Sequence, residues 1–248
     1  MPEKIIEVSH LSAAFGQRPV LKDVSFSVYR NQVTVILGKS GCGKTTVLKH
    51  LIGLHPIQQG EITIMEAALG RLEERQQARL SLKMGVLFQN GALLNSLTVG
   101  ENVAIALEQH TRLPGALVRQ LVRLKLELVE LGHAVDLFPA ELSGGMRKRA
   151  ALARSLALDP PLLFCDEPAA GLDPVTLAAL DNLILKLKSQ LGMTIVLVTH
   201  EIPSIFRLAD RIIFLHEGRV AFEGGLQDAL QAGIAEVEQF FKTAPGAR

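Results

Sequence analysis

The chain has 248 residues, of which 48% are hydrophobic and 21% are charged, a composition typical of a globular protein with a substantial core. Its 26 Lys and Arg balance 25 Asp and Glu, which excludes the net positive charge by which many proteins hold nucleic acid or an anionic membrane. Its apolar runs are far shorter than the roughly 18 residues of a membrane span, and the N-terminus shows no signal-peptide pattern. We therefore expect a soluble, cytosolic protein.

The N-terminal segment predicts an antiparallel pair of strands. Apolar and polar residues alternate over residues 5–8, turn residues follow at 16–19, and a second alternating run covers residues 20–28. Phe15 precedes the turn, where its flat face could stack on a base, although an apolar aromatic is more often a core residue. The residues alone leave both interpretations of Phe15 open.

A phosphate-binding loop is predicted after the next strand. An apolar β-branched run at residues 33–37 precedes it and helical spacing follows from Thr46, a context that argues against a plain glycine-rich turn. Loop N–H groups and the helix dipole would face phosphates, with Lys44 on the β- and γ-phosphates and the Thr45 hydroxyl on Mg²⁺. The nucleotide contacts predicted here are Gly38, Lys39, Ser40, Gly41, Cys42, Gly43, Lys44, Thr45 and Thr46. We interpret the Cys42 thiol as a small filler of the loop rather than a redox switch.

The middle of the chain changes from strands to helices. A buried strand is predicted at residues 84–88, ending at Gln89, and helical periodicity follows from residue 90 to about 158. This indicates an inserted helical subdomain. One amphipathic helix, begun by Pro114, has an apolar stripe with its charged residues in solvent. The stripe consists of Leu117, Leu121, Leu124, Leu128 and Leu131.

A later helix begins at the sequence LSGGM, residues 142–146, and is closed by two prolines after residue 158. Ser143, Gly144 and Gly145 therefore lie at a helix N-terminus, where free N–H groups and the dipole favour an anion. This is a second candidate contact for phosphates.

Two strand ends carry the candidate catalytic residues. An apolar strand at residues 162–165 ends in Asp166 and Glu167, and parallel sheets bind ligands at this edge. We predict that Asp166 holds Mg²⁺ through water and that Glu167 orients or deprotonates the water that attacks a γ-phosphate; the alternative is that both cap the next helix. His200 follows a strand at 194–199 and is either a γ-phosphate contact or an ordinary surface or core histidine.

The C-terminal part predicts a helix at residues 174–191, a hairpin at 211–222 and an amphipathic tail. We interpret the apolar residues of the tail as packing back onto the domain; the alternative is a surface for a protein partner. These residues are Ile234, Val237, Phe240 and Phe241.

In order and spacing, these motifs resemble those of the nucleotide-binding subunits of ABC transporters over nearly the whole chain, and the LSGGM segment is the most specific of them. The resemblance implies an α/β fold, an ABC-type P-loop NTPase with a RecA-like core, an antiparallel β subdomain and an inserted α-helical subdomain. By position, it implies that Phe15 stacks on adenine, that Gln89 is the Q-loop residue that senses Mg²⁺ and the attacking water, that Asp173 is the D-loop aspartate and that His200 is the switch histidine.

The resemblance also implies ATP and Mg²⁺ as cofactors and a head-to-tail dimer of two copies, with each ATP held between one phosphate loop and the partner's LSGGM segment. Departures are small. Phe15 stands where tyrosine is frequent, and Ala169 and Ala170 stand where Thr and Ser are common, so these positions near Asp173 carry no hydroxyl group. From the changes between strand-like and helical periodicity along the chain, we expect four segments. A nucleotide-binding core covers 1–92 and 159–222, a helical subdomain covers 93–158, and a helical tail covers 223–248.

A closer likeness lies in three stretches, FQNGALL at 88–94, LTVGENV at 97–103 and LSGGMRKRAALAR at 142–154, which together are similar to the ATPases of Mla/MCE phospholipid transporters. It implies a peripheral protein on the cytoplasmic side of the inner membrane, an integral membrane permease that docks beside residues 89–103, an MCE-type lipid-binding protein and no nucleic acid. The alternatives are an ABC transporter for another cargo, such as amino acids or lipoproteins, and a soluble ABC ATPase. The single phosphate loop and the lack of a long heptad insertion or a basic surplus count against the latter.

Overall fold

The computed structural model describes residues 3–242. In chain order its strands are β1 (Lys4–Phe15), β2 (Arg18–Tyr29), β3 (Val33–Leu37), β4 (Gln59–Ile64), β5 (Ala67–Ala68), β6 (Met84–Leu87), β7 (Leu162–Asp166), β8 (Thr194–Val198), β9 (Arg211–His216) and β10 (Arg219–Gly225). Its α-helices are α1 (Lys44–Leu51), α2 (Glu74–Ser81), α3 (Val99–His110), α4 (Gly115–Leu128), α5 (Gly144–Ser155), α6 (Pro174–Leu191), α7 (Ile202–Leu208), α8 (Leu226–Gln231) and α9 (Ala235–Lys242).

The elements form two compact units. The first contains the described residues up to Ser81 and from Thr194 onward, and the second spans Leu82–Met193. The second compact unit therefore contains β6, β7 and α6 together with the helices between them. The four predicted segments were drawn from sequence periodicity instead, and they stay a prediction. Residues 1–2 and 243–248 of the predicted first and last segments lie outside the described residues.

The first unit contains both strand patterns that the sequence predicts. Its antiparallel sheet has the order β2-β1-β4-β5, which confirms the N-terminal strand pair. The apolar strand β3 is buried along its whole length and lies parallel to β8 on one side and β9 on the other. Strands that are covered on both faces require such continuous apolar runs, because neither face meets water.

The tail packs back onto the first unit, as predicted. Val237, Phe240 and Phe241 on α9 are buried. The Phe240 ring lies 5.6 Å from that of Phe214 on β9, and the Phe241 ring lies 5.7 Å from that of Phe206 on α7, both edge to face. The preceding hairpin, β9 with β10, is also confirmed.

The second unit carries the helical segment. Residues 90–158, all of them described, contain no strand, and β6 pairs in parallel with β7 outside that range. Helix α3 begins at a capping box, in which the Thr98 hydroxyl accepts from the Glu101 N–H and the Glu101 carboxylate accepts from the Thr98 N–H. Helix α3 packs against α4 and α5. Among the described helices of both units, none has the length and apolarity to cross a membrane.

The leucine stripe predicted for α4 is not the face that the helix buries. Leu117 and Leu124 are 40% and 54% exposed, whereas Val118, Val122 and Leu126 are buried. The helix itself is confirmed, and Leu131 of the stripe is buried just after it, but α4 carries a second apolar stripe with the two valines, and that stripe is the buried one. Apolar side chains can remain on a surface, so periodicity alone could not choose between the stripes.

Candidate functional site

The phosphate loop in the first unit has a backbone that only glycine permits at two positions. Gly38 has φ 145° and Gly43 has φ 108°. A Cβ atom at Gly38 would lie 2.1 Å from the Leu215 carbonyl oxygen, and one at Gly43 would lie 2.7 Å from Leu21 Cδ2. The loop therefore needs both glycines for conformation and for close packing.

The loop leads directly into α1, whose N-terminal cap is Gly43 with no capping side chain. The N–H groups of the first helical turn are thus available to an anion, which the dipole of the helix also favours. Lys44 Nζ bends back over the loop and donates to the carbonyl oxygens of Gly38 at 2.8 Å and Lys39 at 3.3 Å. This arrangement of N–H groups and one cation suits a chain of phosphates.

The solvent exposure of the loop side chains is compatible with their predicted roles. Lys39, Ser40 and Thr45 are exposed, as ligand-contacting groups must be, and Thr46 is half-buried. Cys42 is buried, and burial raises the pKa of its thiol. A buried thiol that stays protonated acts as a small apolar filler, in agreement with the prediction.

His200 emerges beside the phosphate loop. Ile36 of β3 pairs with Val198 of β8 in parallel register, so the loop beginning at Gly38 and the residue His200 both follow their strands by two positions at one sheet edge. His200 is exposed and lies 3.8 Å from the Glu201 carboxylate, measured from Nε2 to Oε1. This position places its imidazole in solvent rather than in the core.

Phe15 is not a core residue, because 53% of its surface is exposed. One edge contact fixes the ring: its centroid lies 5.4 Å from that of His55, with the planes 68° apart. The remaining surface of the ring is accessible, which favours the stacking interpretation that the sequence left open.

In the second unit, register brings Gln89 and Glu167 to one sheet edge. Leu87 of β6 pairs with Cys165 of β7, and each candidate residue follows its paired residue by two positions. Glu167 has φ 46°, a left-handed conformation that is uncommon for a residue with a side chain. Such a backbone persists only where the surrounding structure holds it, and it is frequent at functional sites.

The buried Lys148 contacts the main chain of Gln89 and is not among the predicted site residues. Its ammonium group donates to the Gln89 carbonyl oxygen. Burial lowers the pKa of the lysine, and the negative charge of Glu167 acts in the opposite direction. The sequence offers no signal that singles it out, because Lys148 is one of three consecutive basic residues, Arg147, Lys148 and Arg149.

The LSGGM segment and Asp173 also lie together in the second unit. Ser143 caps α5 and accepts from the Met146 N–H at 3.2 Å. A Cβ atom at Gly145 would lie 2.5 Å from Thr176 Cγ2, so glycine is required for this approach. Asp173 caps α6 by accepting from the N–H groups of Val175 and Thr176, each at 3.0 Å.

The hydrogen bond from the Thr176 hydroxyl is the main reason that the pKa of Asp173 is lowered. Gly144, the residue before the Gly145 that packs on Thr176, is exposed. The cap of the helix after β7 is therefore Asp173, and not Asp166 or Glu167, for which capping was the alternative role.

The predicted metal ligands have the right chemistry for Mg²⁺. Thr45, Asp166 and Gln89 supply a hydroxyl, a carboxylate and an amide oxygen, all of them hard ligands of the kind that this ion prefers. Thr45 is exposed one residue into α1, and Asp166 ends β7. Mg²⁺ at these residues stays a prediction that the donor set supports.

Comparison with known proteins gives matches along nearly the whole chain. The family described as ABC transporter matches residues 21–170. The intermembrane phospholipid transport system ATP-binding protein MlaF of Haemophilus influenzae is 39% identical over 98% of this chain and 92% of its own length. The probable ribonucleotide transport ATP-binding protein mkl of Mycobacterium leprae is 39% identical over 95% of this chain and 68% of its own length.

Solved structures agree in fold. The ATP-binding cassette MJ0796, as a dimer in a post-hydrolysis state bound to ADP and Pi, superposes with a TM-score of 0.81 at 30% identity, covering 89% of this chain and 98% of that chain. The cbiO1 protein of Clostridium perfringens, part of the ABC transporter complex cbiONQ, gives a TM-score of 0.85 at 28% identity, covering 93% of this chain and 92% of that chain. These matches confirm the ABC-type P-loop NTPase fold.

Proposed function

Because the chain belongs to the ABC transporter family and is an ATPase of that family, we propose that it powers phospholipid transport of the Mla/MCE type at the inner membrane. The observation that carries the proposal is the similarity to the phospholipid transport protein MlaF along 98% of the chain. The phosphate loop and the strand-end residues provide the chemistry that such a motor needs.

In the proposed reaction each side chain has one role. Lys44 neutralises charge on the β- and γ-phosphates, Phe15 stacks on adenine, and His200 contacts the γ-phosphate. Glu167 polarises the attacking water, which is the step on which hydrolysis depends. Mg²⁺, held by Thr45, by Gln89 and through water by Asp166, would supply positive charge at the phosphates.

Two copies of the chain complete the sites. The N-terminus of α5, with Ser143, Gly144 and Gly145, is an anion site that would cap the nucleotide held by the phosphate loop of the partner copy, and Asp173 would lie beside it. ATP then stabilises the closed dimer and hydrolysis reopens it, because only ATP has the bridging γ-phosphate.

The membrane partner is a permease with an MCE-type lipid-binding protein, and the chain lies at the cytoplasmic face. The docking segment would be residues 89–103, which begins at Gln89 and exposes Leu94, with Leu93 and Leu97 half-buried beside it. Closure of the dimer would move this segment and so the two permease halves.

A second candidate is transport of another cargo, since a relative named for ribonucleotide transport is 39% identical over 95% of this chain. The two candidates differ in the lipid content of the complex. Purification of the chain with its permease, followed by identification of bound lipids and by transfer assays between vesicles, separates them. Bound phospholipid and ATP-dependent lipid transfer support the proposal, and a lipid-free complex that moves nucleotides overturns it.

Leu97→Glu tests the docking segment. We expect near-normal ATP binding but loss of the permease during co-purification, because a charge without a partner would be buried at the interface. Leu191→Glu is the matched control, since Leu191 is exposed at the end of α6. Unchanged association and lipid transfer in Leu97→Glu would exclude this docking segment.

A further inference from the structure

Lys148 carries a positive charge into the interior of the second unit. The residue is only 9% exposed, and burial lowers its pKa. Lysine is almost never buried unless its charge is compensated. Two groups compensate it: the Gln89 carbonyl oxygen, which accepts from Nζ, and the carboxylate of Glu167, whose charge favours the ammonium form.

The main chain after Gln89 needs donors from outside its strand. Gly91 and Ala92 both have positive φ, 72° and 51°, so the chain leaves β6 in a tight turn. Arg154 donates from Nη2 to the Gly91 carbonyl oxygen at 2.9 Å and from Nη1 to that of Ala92. Lys148 and Arg154 stand about 9 Å apart along α5, so this helix holds the turn at both ends.

Glu167 also acts on Lys148, because the negative charge of its carboxylate favours the ammonium form. Its left-handed backbone, φ 46°, fixes the direction in which the carboxylate leaves β7. The charge of Lys148 is therefore shared between the turn after β6 and the carboxylate after β7. Because Ser143 caps the N-terminus of α5, the same helix also connects these residues to the LSGGM segment.

We propose that Lys148 is a positioning residue that fixes the main chain of Gln89 and the carboxylate of Glu167 relative to each other. The inference rests on the proposed function, since it takes the roles of Gln89 and Glu167 from there. It adds that α5 links the anion site at its own N-terminus to the hydrolytic edge of the same subunit. Lys148 acts through its two neighbours, so its loss should slow hydrolysis more than it weakens ATP binding.

The experiment uses the full chain in complex with its permease and compares Lys148→Met, Lys148→Gln and Lys148→Arg. We measure kcat and KM for ATP, equilibrium binding of a fluorescent ATP analogue, and the midpoint of thermal unfolding. Lys148→Met should lower kcat about tenfold or more, the order expected for a lost charged hydrogen bond, with KM and analogue binding within about twofold of the wild type. Lys148→Arg should restore most of kcat, because it retains both the charge and the donors.

Lys148→Gln keeps a donor for the Gln89 carbonyl but removes the charge, so its kcat should lie between those of the Met and Arg variants, and it serves if Lys148→Met does not fold. The matched control is Arg149→Gln on the next residue of α5, which loses an ion pair with Glu130 and should keep kcat. Wild-type kcat in Lys148→Met and Lys148→Gln, an Arg variant as slow as Met, or a parallel loss of kcat, binding and thermal stability would each overturn the inference. A wild-type complex without ATP hydrolysis would instead overturn the proposed function.

Discussion

At the scale of single residues, the strand-end region of the second unit combines a left-handed backbone at Glu167 with a buried cation at Lys148. The phosphate loop and the pair Asp166 and Glu167 could be found in the sequence because their chemistry dictates residue type and order. The left-handed backbone of Glu167 and the burial of Lys148 could not. Both depend on residues brought together by strand pairing and helix packing, which no local pattern encodes.

The geometry of Glu167 leads to a prediction about hydrolysis. Glu167→Gln keeps the size of the side chain but removes the charge that we propose polarises the attacking water. ATP binding should therefore remain while hydrolysis falls at least a hundredfold, on the order found for general-base groups. ATP should then accumulate in a dimeric species, measured by size-exclusion chromatography with bound-nucleotide analysis. Rapid turnover by the variant would show that another group activates the water.

At the scale of elements, the sequence predicted most strands and helices but not which helix face is covered. The leucines of α4 are the example, because Val118 and Val122 compete with them for the same neighbours. The connection between β6 and α3 is a second feature that the sequence could not predict. Its conformation depends on the buried side chain of Asn102, which a helical pattern identifies only as a polar residue in α3.

Asn102 fastens this connection through its amide group. It accepts from the Leu94 N–H at 2.8 Å and donates to the carbonyl oxygens of Leu94, Leu97 and Thr98 at 3.0, 3.2 and 2.9 Å. Asn102→Ala leaves these partly buried main-chain groups without their side-chain partner and should lower the free energy of unfolding by roughly 2–4 kcal/mol. Chemical denaturation measures this loss.

Amide hydrogen exchange at residues 94–98 should also become faster in Asn102→Ala, because the segment loses its anchor. The exposed Asn95 in the same segment provides the control. Asn95→Ala should change stability by less than about 0.5 kcal/mol, as is usual for surface substitutions. Equal effects of the two substitutions would contradict the anchoring role of Asn102.

At the scale of the whole molecule, the residues predicted to contact nucleotides are divided between the two compact units. The phosphate loop and His200 belong to the first unit, whereas Glu167 and the LSGGM segment belong to the second. The sequence indicated the fold and these motifs, but the assignment of an LSGGM segment to its own nucleotide or to that of a partner copy follows only from the resemblance. Linked dimers can test this assignment.

Two linked dimers carry the same pair of substitutions in different arrangements. In the first, Lys44→Ala is in one subunit and Ser143→Arg in the other; in the second, both are in the same subunit. If each site combines the phosphate loop of one subunit with the LSGGM segment of the other, the first dimer has one intact site and one with both defects, while the second has one defect in each site. The first should therefore retain ATP hydrolysis and the second should lose it. Because sites built within single subunits predict the reverse order, a comparison of the two ATPase rates, normalised to nucleotide-binding sites, decides between the two architectures.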